Sequence, residues 1–359
     1  MRCARLLAAG ALLAPGASTG WAQAVPRTDM PRRGTLRATF EPVITTWGAE
    51  FTAAGRRPIG ASLPATLFVR AERRVTPLAL EVGITDRIAV RAQVPLVRAT
   101  VRAQVFHDTL GAGAALDSTL ADTTYAFAPI ADTRRGLRFF PGDAELSAKA
   151  RLAGGGFYKA AAEFAVRLPT GHLDSPHDLF DLASGDHQTD LELRLIQELT
   201  VANRLWLNLS VRATHQRQGT RERRVAPQST LLVPRAALAT LQWNPGDALA
   251  LDAAPMYRLG GFLAVGVTAG YYTKRRDRYT FASAADSVAL ATRLGAPRSA
   301  SVLDAGTAER RARLGVAVTY LGPDVEGGVS IEQTVSGAGG TIPAASVFRV
   351  VMRTSRWPF

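Results

Sequence analysis

Apolar and polar residues alternate with a period of two along most of this chain, and few stretches carry the period of a helix. From Leu205 to Thr214, one face collects Leu205, Leu207, Leu209, Val211 and Ala213, the other Trp206, Asn208, Ser210 and Arg212. Leu146, Ala148, Ala150 and Leu152 oppose Glu145, Ser147, Lys149 and Arg151, while Ala162, Phe164, Val166 and Leu168 oppose Glu163 and Arg167. Leu78, Leu80, Val82 and Ile84 oppose Glu81; Ile88, Val90, Ala92 and Val94 oppose Arg91 and Gln93. Near the C-terminus, Leu314, Val316, Val318 and Tyr320 oppose Arg313, and Val329 and Ile331 oppose Glu326 and Glu332. Charge is tolerated on one face of every strand and excluded from the other.

The connections alternate as well. Five are short and built from turn formers: Thr85-Asp86-Arg87, Gly154-Gly155-Gly156, Ala202-Asn203, Leu259-Gly260-Gly261 and Gly322-Pro323-Asp324. Six are long, near 47–64, 107–140, 169–189, 216–236, 274–308 and 335–344. Short and long follow each other strictly, beginning and ending with long, so the eleven connections join about twelve strands with both termini on the short-turn side. Trp243-Asn244-Pro245-Gly246-Asp247 would break that parity as a hairpin and is taken as a bulge in one strand. The expected fold is all-β: a transmembrane antiparallel barrel with short periplasmic turns and long extracellular loops.

The N-terminus fits this compartment. Arg2 and Arg5, the apolar stretch Leu6 to Ala17 and Ala22-Gln23-Ala24 have the form of an export signal over residues 1–24. Residues 25–33 then form a short periplasmic segment, too brief to plug a barrel, and 34–359 the barrel itself. No run of 18 apolar residues follows the signal, which excludes a helical membrane protein, and a mean hydropathy near zero is what two-faced strands give. Cys3 is the only cysteine and lies in the signal, so the mature chain has neither a disulfide nor a cysteine metal site. The net charge of +13 falls to +11 without Arg2 and Arg5, and with only Lys149, Lys159 and Lys274 it is nearly all arginine. The expected partners of this basic surface are outer-membrane lipid and lipopolysaccharide, not nucleic acid, for which no stacking motif is present.

Lipid must face Leu205, Leu207 and Leu209 and their counterparts, since a charge on that side costs about 2–4 kcal/mol near the midplane. Glu81, Arg91, Glu163, Arg167, Glu192, Arg194, Arg212 and Arg313 are therefore the candidate lumen residues. Twelve strands allow either a narrow pore or a lumen closed by paired Arg and Glu side chains. Tyr257, Tyr271, Tyr272, Tyr320, Trp206 and Trp357 fall near strand ends, where an interfacial girdle belongs. The terminal segment resembles the signal by which the barrel-assembly machinery selects outer-membrane proteins, with Trp357 and Phe359 in its aromatic positions. It departs from that pattern at Met352, Thr354 and Pro358.

Leu80-Glu81-Val82-Gly83-Ile84-Thr85-Asp86-Arg87-Ile88 with Val94-Pro95-Leu96 begins a set of further motifs. The set continues at Gly142-Asp143-Ala144-Glu145-Leu146-Ser147-Ala148-Lys149, Leu168-Pro169-Thr170-Gly171 and Ser184-Gly185-Asp186 to Asp190-Leu191. These resemble the outer-membrane barrels of the MetA-pathway of phenol degradation family over roughly residues 78–275. The resemblance implies a transporter-like role with an aromatic solute and assigns no functional residue.

Other chemistry is thin. Residues 170–187 hold His172, His177, His187 and several aspartates, which allow an external cation site or, alternatively, turn-forming aspartates in a solvated loop. No metal motif fits, and no metal or cofactor is expected. Ser175 and Ser184 with His172 and His187 permit a hydrolase pair on paper, without a nucleophile elbow. Arg56-Arg57, Arg134-Arg135, Arg221 with Arg223-Arg224, and Lys274 to Arg278 fall in external loops where lipopolysaccharide phosphates could be bound. The expected function is passive movement of a small hydrophobic, aromatic or anionic solute, with a lipid-binding barrel lacking an open pore as the alternative and an enzyme not expected.

Overall fold

The computed structural model describes residues 27–354 except 53–54, 107–110, 131–137, 203, 228–229, 231, 323–324 and 341. The expected export signal, Trp357, Phe359 and the pair Arg134-Arg135 lie outside the described residues. Twelve antiparallel strands close into a barrel. They are β1 (Leu36–Phe40, resumed at Val43–Trp47), β2 (Leu67–Thr85), β3 (Ile88–Val105), β4 (Ala144–Gly154), β5 (Tyr158–Leu168) and β6 (Asp190–Ala202). The second half is β7 (Leu205–Gln216), β8 (Ala248–Arg258), β9 (Leu263–Lys274), β10 (Glu309–Leu321), β11 (Val325–Gly339) and β12 (Ser346–Thr354). Each pairs with its sequence neighbours, and β12 returns to β1 through Ala38↔Thr354, Phe40↔Met352 and Ile44↔Phe348. A closed ring leaves no strand edge unpaired in hydrocarbon.

The alternation follows from this geometry. Leu80, Leu193, Val267, Leu314, Val316 and Ile331 are among the many large apolar side chains left exposed, and all point outward. Glu163, Glu192, Arg194 and Arg212 point inward and are buried. Strand β1 is split at Glu41-Pro42: proline cannot donate to the ladder, and the Glu41 side chain turns into the lumen, fully enclosed. Strands β2 and β3 have 19 and 18 residues, far beyond the 9–11 or so that span a bilayer, so this hairpin projects past the membrane.

The outer end carries structure that periodicity did not reveal. Helix α1 (Ala112–Ala121) packs Leu116 and Leu120 onto Val69, Ala71, Val101 and Ala103 of the β2–β3 hairpin, with Trp47, Ile59, Leu63, Phe127 and Phe180 in the same core. A second, three-stranded sheet (Gly219–Arg224, Leu238–Asn244, Arg278–Phe281) prolongs β7, β8 and β9 upward. Trp243 to Asp247 is thus neither a hairpin nor a simple bulge. The chain leaves the extension sheet there and enters β8 at Ala248, in the same order of neighbours, which is why the parity holds. Helix α2 (Ala284–Leu294) covers that sheet through Leu290 and is fixed by a Ser283–Asp286 capping box, a signal present in the sequence.

Candidate functional site

Three features define the lumen: an ion-paired wall, a chain segment across the periplasmic end, and loops folded into the outer mouth. The wall is densest on β4 to β7. Arg194 bridges Glu163 at 3.0 Å and also pairs with Glu192; Arg212 reaches Glu192 at 3.2 Å; and Arg167 reaches Asp190 at 2.8 Å and Glu192 at 3.7 Å. Ser147 donates to Glu163 at 2.8 Å. Glu81 faces Arg37 at 3.5 Å and Lys149 at 3.7 Å, and Arg91 donates to Gln93 at 2.5 Å. Across the barrel Arg313 lies 3.3 Å from both Asp252 and Glu332. The sequence-derived candidates other than Arg91, whose partner is the neutral Gln93, therefore pair with opposite charges inside the barrel.

The segment expected to be a short periplasmic lead instead enters the barrel. Arg27 places its guanidinium 2.9 Å from Glu326 on β11 and 3.8 Å from Glu198 on β6, strands on opposite sides of the ring. The Thr28 amide donates to Glu198 at 2.6 Å, Asp29 pairs with Arg37 at 2.9 Å, and Lys149 donates to the carbonyls of Arg27 and Asp29. Seven residues suffice because they cross the lumen as extended chain and need no core of their own. Gly83 permits the approach: a Cβ there would stand 2.1 Å from the Arg32 carbonyl oxygen. No periodicity signals a short polar segment of this kind.

Between the segment and the Arg313–Asp252–Glu332 group, the periplasmic part of the wall from β7 to β12 is small and uncharged. Trp206, Met256, Ala254, Ala317 and Val351 with Asn208 and Ser330 line a small cavity of about 40 Å3 bounded by Arg27. Trp206 and Tyr272, expected in the outer girdle, point inward, whereas Tyr257, Tyr271 and Tyr320 are exposed outside. The difference is one of register, since neighbours on a strand face opposite ways.

At the outer mouth the three later motif segments of the sequence converge on Asp143. Its buried carboxylate accepts from the Gly171 and Asp186 amides, each at 2.8 Å, and a Cβ at Gly185 would collide with it at 2.3 Å. Thr170 links the same turns by donating to the Gly142 carbonyl at 2.7 Å. Burial, together with the carboxylates of Asp190 and Asp143, pushes the Asp186 carboxyl up to about 7. Ser184 Oγ donates to the Pro141 carbonyl at 2.9 Å and accepts from the His172 amide, and His187 Nδ1 contacts the Gly171 carbonyl at 3.2 Å. The serine and histidine thus engage backbone, not each other. The neighbouring aspartates cap turns: Asp181 accepts from the Ser175 amide and Asp178 from the Phe180 amide. Among the described residues no cluster of three or more His, Asp, Glu or Cys side chains is placed to hold a metal ion.

One expected lipid-contacting cluster is internal instead. Arg221 and Arg223 pair with Asp174, and Arg224 lies 3.7 Å over the Phe127 ring while donating to the carbonyls of Tyr125, Pro176 and Val233. Burial raises the Asp174 carboxyl, but Arg223 and Arg221 outweigh it and hold the group below the usual carboxylate range. Burial also lowers Arg224 to about 10, with Arg235 adding to the effect. Arg224 ties three external loops together.

The closed ring with short turns at one end and folded loops at the other is the architecture of outer-membrane β-barrels. The COG4313 outer membrane channel from Pseudomonas putida F1 matches it with a TM-score of 0.59 at 10% identity, over 92% of this chain and 100% of that one. The TodX ΔS2S3 mutant monoaromatic hydrocarbon channel (TM-score 0.40, 12% identity, 91% of each chain) and the KdgM porin (0.37, 7%, 89% of this chain and 99% of that one) overlay more loosely. No family model and no curated protein matches the chain.

Proposed function

We propose that the protein is an outer-membrane channel that lets a small, largely apolar solute move passively down its gradient. The exposed aliphatic band and the barrel fold support the membrane location. The observation that carries the solute class is the contrast inside the lumen: Arg167, Arg194, Arg212 and Arg313 are engaged by carboxylates, while the cavity beside Arg27 is walled by Trp206, Met256, Ala254 and Val351. Paired guanidiniums offer little to a free anion, because their charge is already met in a low-dielectric interior. An apolar wall with a few polar groups is the usual lining of a small-molecule site. The family resemblance points to the same solute class. Planar-bilayer recording and vesicle uptake of an apolar aromatic probe test the proposal. A small conductance with no marked anion preference, together with faster probe entry than in protein-free vesicles, is the expected result. A large anion-selective current without probe uptake would overturn it.

A further inference from the structure

Four arginines lie on the outward face of the β2–β3 hairpin, and this placement runs against the rest of the barrel exterior. Arg70, Arg74, Arg98 and Arg102 have the same outward parity as Leu78, Leu80 and Val94, which are exposed below them. The ladder sets them directly opposite one another, Arg70↔Arg102 and Arg74↔Arg98, with Glu72↔Thr100 between. Like charges opposed across two strands destabilise the pair. Among the described residues the only carboxylate answering them is Glu72, 2.7 Å from Arg74. The residue alternation would have accepted any polar side chain here, so four guanidiniums around one carboxylate leave an excess of positive charge facing away from the protein.

Their height identifies the partner. Arg74 and Arg98 stand four residues above Leu78 and Val94, about 13 Å along the strand at roughly 3.3 Å per residue, and Arg70 and Arg102 four residues higher still. That is the step from the hydrocarbon band to the headgroup layer. Half-exposed aromatic side chains bracket the arginines: Phe139 and Phe140 stand beside the lower pair, with Arg98 6.0 Å over the Phe139 ring, and Phe68 and Phe106 lie just above the upper pair. Guanidinium groups bind phosphate through two parallel hydrogen bonds, which suits a phosphorylated headgroup held against a wall.

We infer that this face is a binding site for a phosphate-bearing glycolipid of the outer leaflet, its phosphates held by the guanidiniums of the Arg74–Arg98 and Arg70–Arg102 pairs around the enclosed Thr100 and its acyl chains against Leu78, Leu80 and Val94. The ligand chemistry is a phosphomonoester, and the apolar surface directly beneath selects the lipid over free phosphate. The site needs the outer-membrane location proposed above but not the channel, so an absent conductance would leave it standing. It also differs in place from the loop clusters that the sequence suggested, one of which is buried.

Native mass spectrometry of the folded mature protein in detergent, titrated with lipid A, with dephosphorylated lipid A and with inorganic phosphate, tests it. Lipid A should remain bound, the dephosphorylated form should bind at least about tenfold more weakly, and millimolar inorganic phosphate should not displace the lipid. Replacing Arg70, Arg74, Arg98 and Arg102 together by Gln should weaken lipid A by about tenfold or more, whereas Arg275→Gln with Arg276→Gln should leave it unchanged. Heat-modified gel mobility checks folding, and if the fourfold variant does not fold, Arg70→Gln with Arg102→Gln should still weaken binding by about fivefold. Equal retention of the dephosphorylated lipid, displacement by inorganic phosphate, or the same loss in the Arg275/Arg276 variant would each overturn the site.

Discussion

The two halves of the barrel's inner wall obey the same alternation but fill the lumen unequally. From β2 to β7 the inward positions carry Glu81, Glu163, Arg167, Glu192, Arg194 and Arg212, joined from strand to strand. From β8 to β12 a smaller charged set, Asp252, Arg313, Glu332 and Arg349, gives way toward the periplasmic end to Ala254, Met256, Gly266, Ala317, Ser330 and Val351, which leave a cavity. An inward position is one category in the sequence and two in space. Long charged side chains reach their neighbours and fill the lumen, whereas small ones leave room for something else.

The contrast is broken most directly at Glu192, which meets Arg167, Arg194 and Arg212. Glu192→Leu should destabilise the barrel by about 3–5 kcal/mol, because three buried guanidiniums lose a shared partner. Denaturant unfolding of the refolded protein in vesicles reads this, and a loss under about 1 kcal/mol would show the network to be solvated and dispensable. Trp206→Ala, beside the cavity, should cost less, about 1–3 kcal/mol, since the ring borders open space and is only partly enclosed. It should change probe uptake far more than Glu192→Leu does; equal effects on uptake would erase the distinction between the walls.

A smaller effect separates the two ends of the lumen. Gly83→Val should force the 27–33 segment away from β2 and raise single-channel conductance severalfold, with little change in the unfolding midpoint. An unaltered current would mean that the segment does not limit passage. At the outer mouth, the sign for Asp186 follows from its raised carboxyl, about 7 in the fold against about 3.9 when unfolded. The folded loop binds the proton more tightly, so its stabilising contribution is complete below about pH 4 and is lost as pH rises through about 7. Hydrogen exchange of the 169–189 loop should therefore speed up over that interval, and Asp186→Asn should flatten the dependence. The least effect is expected at Arg275, which is 83% exposed and 3.8 Å from Asp247: Arg275→Ala should alter stability by under about 0.5 kcal/mol.

Much of the barrel was legible because a strand in lipid has only two sides. Leu205, Leu207 and Leu209 against Asn208, Ser210 and Arg212 fix a face, and Gly154-Gly155-Gly156 fixes a reversal, each within a dozen residues. The site was legible only in part. Glu163 and Arg194 were found as inward residues, but their pairing depends on the register Arg194↔Glu163 between separate strands. The Asp143 cradle was visible as three motifs with no common purpose until the fold brought Gly142, Gly171 and Gly185 together. Helices α1 and α2 were missed, although Ser283 and Asp286 carried a local cap signal for the second.

By itself the sequence determined the period, the faces, the order of short and long connections and hence a closed sheet of twelve strands, since each depends on residues within a few positions of one another. Only the tertiary structure decided that Arg27 spans the lumen to Glu198 and Glu326, that Arg224 stitches the outer loops, and that Arg70, Arg74, Arg98 and Arg102 gather on one outward patch. These depend on which side chains meet across tens or hundreds of residues, and a pattern of polar and apolar positions does not encode the partner of a charge.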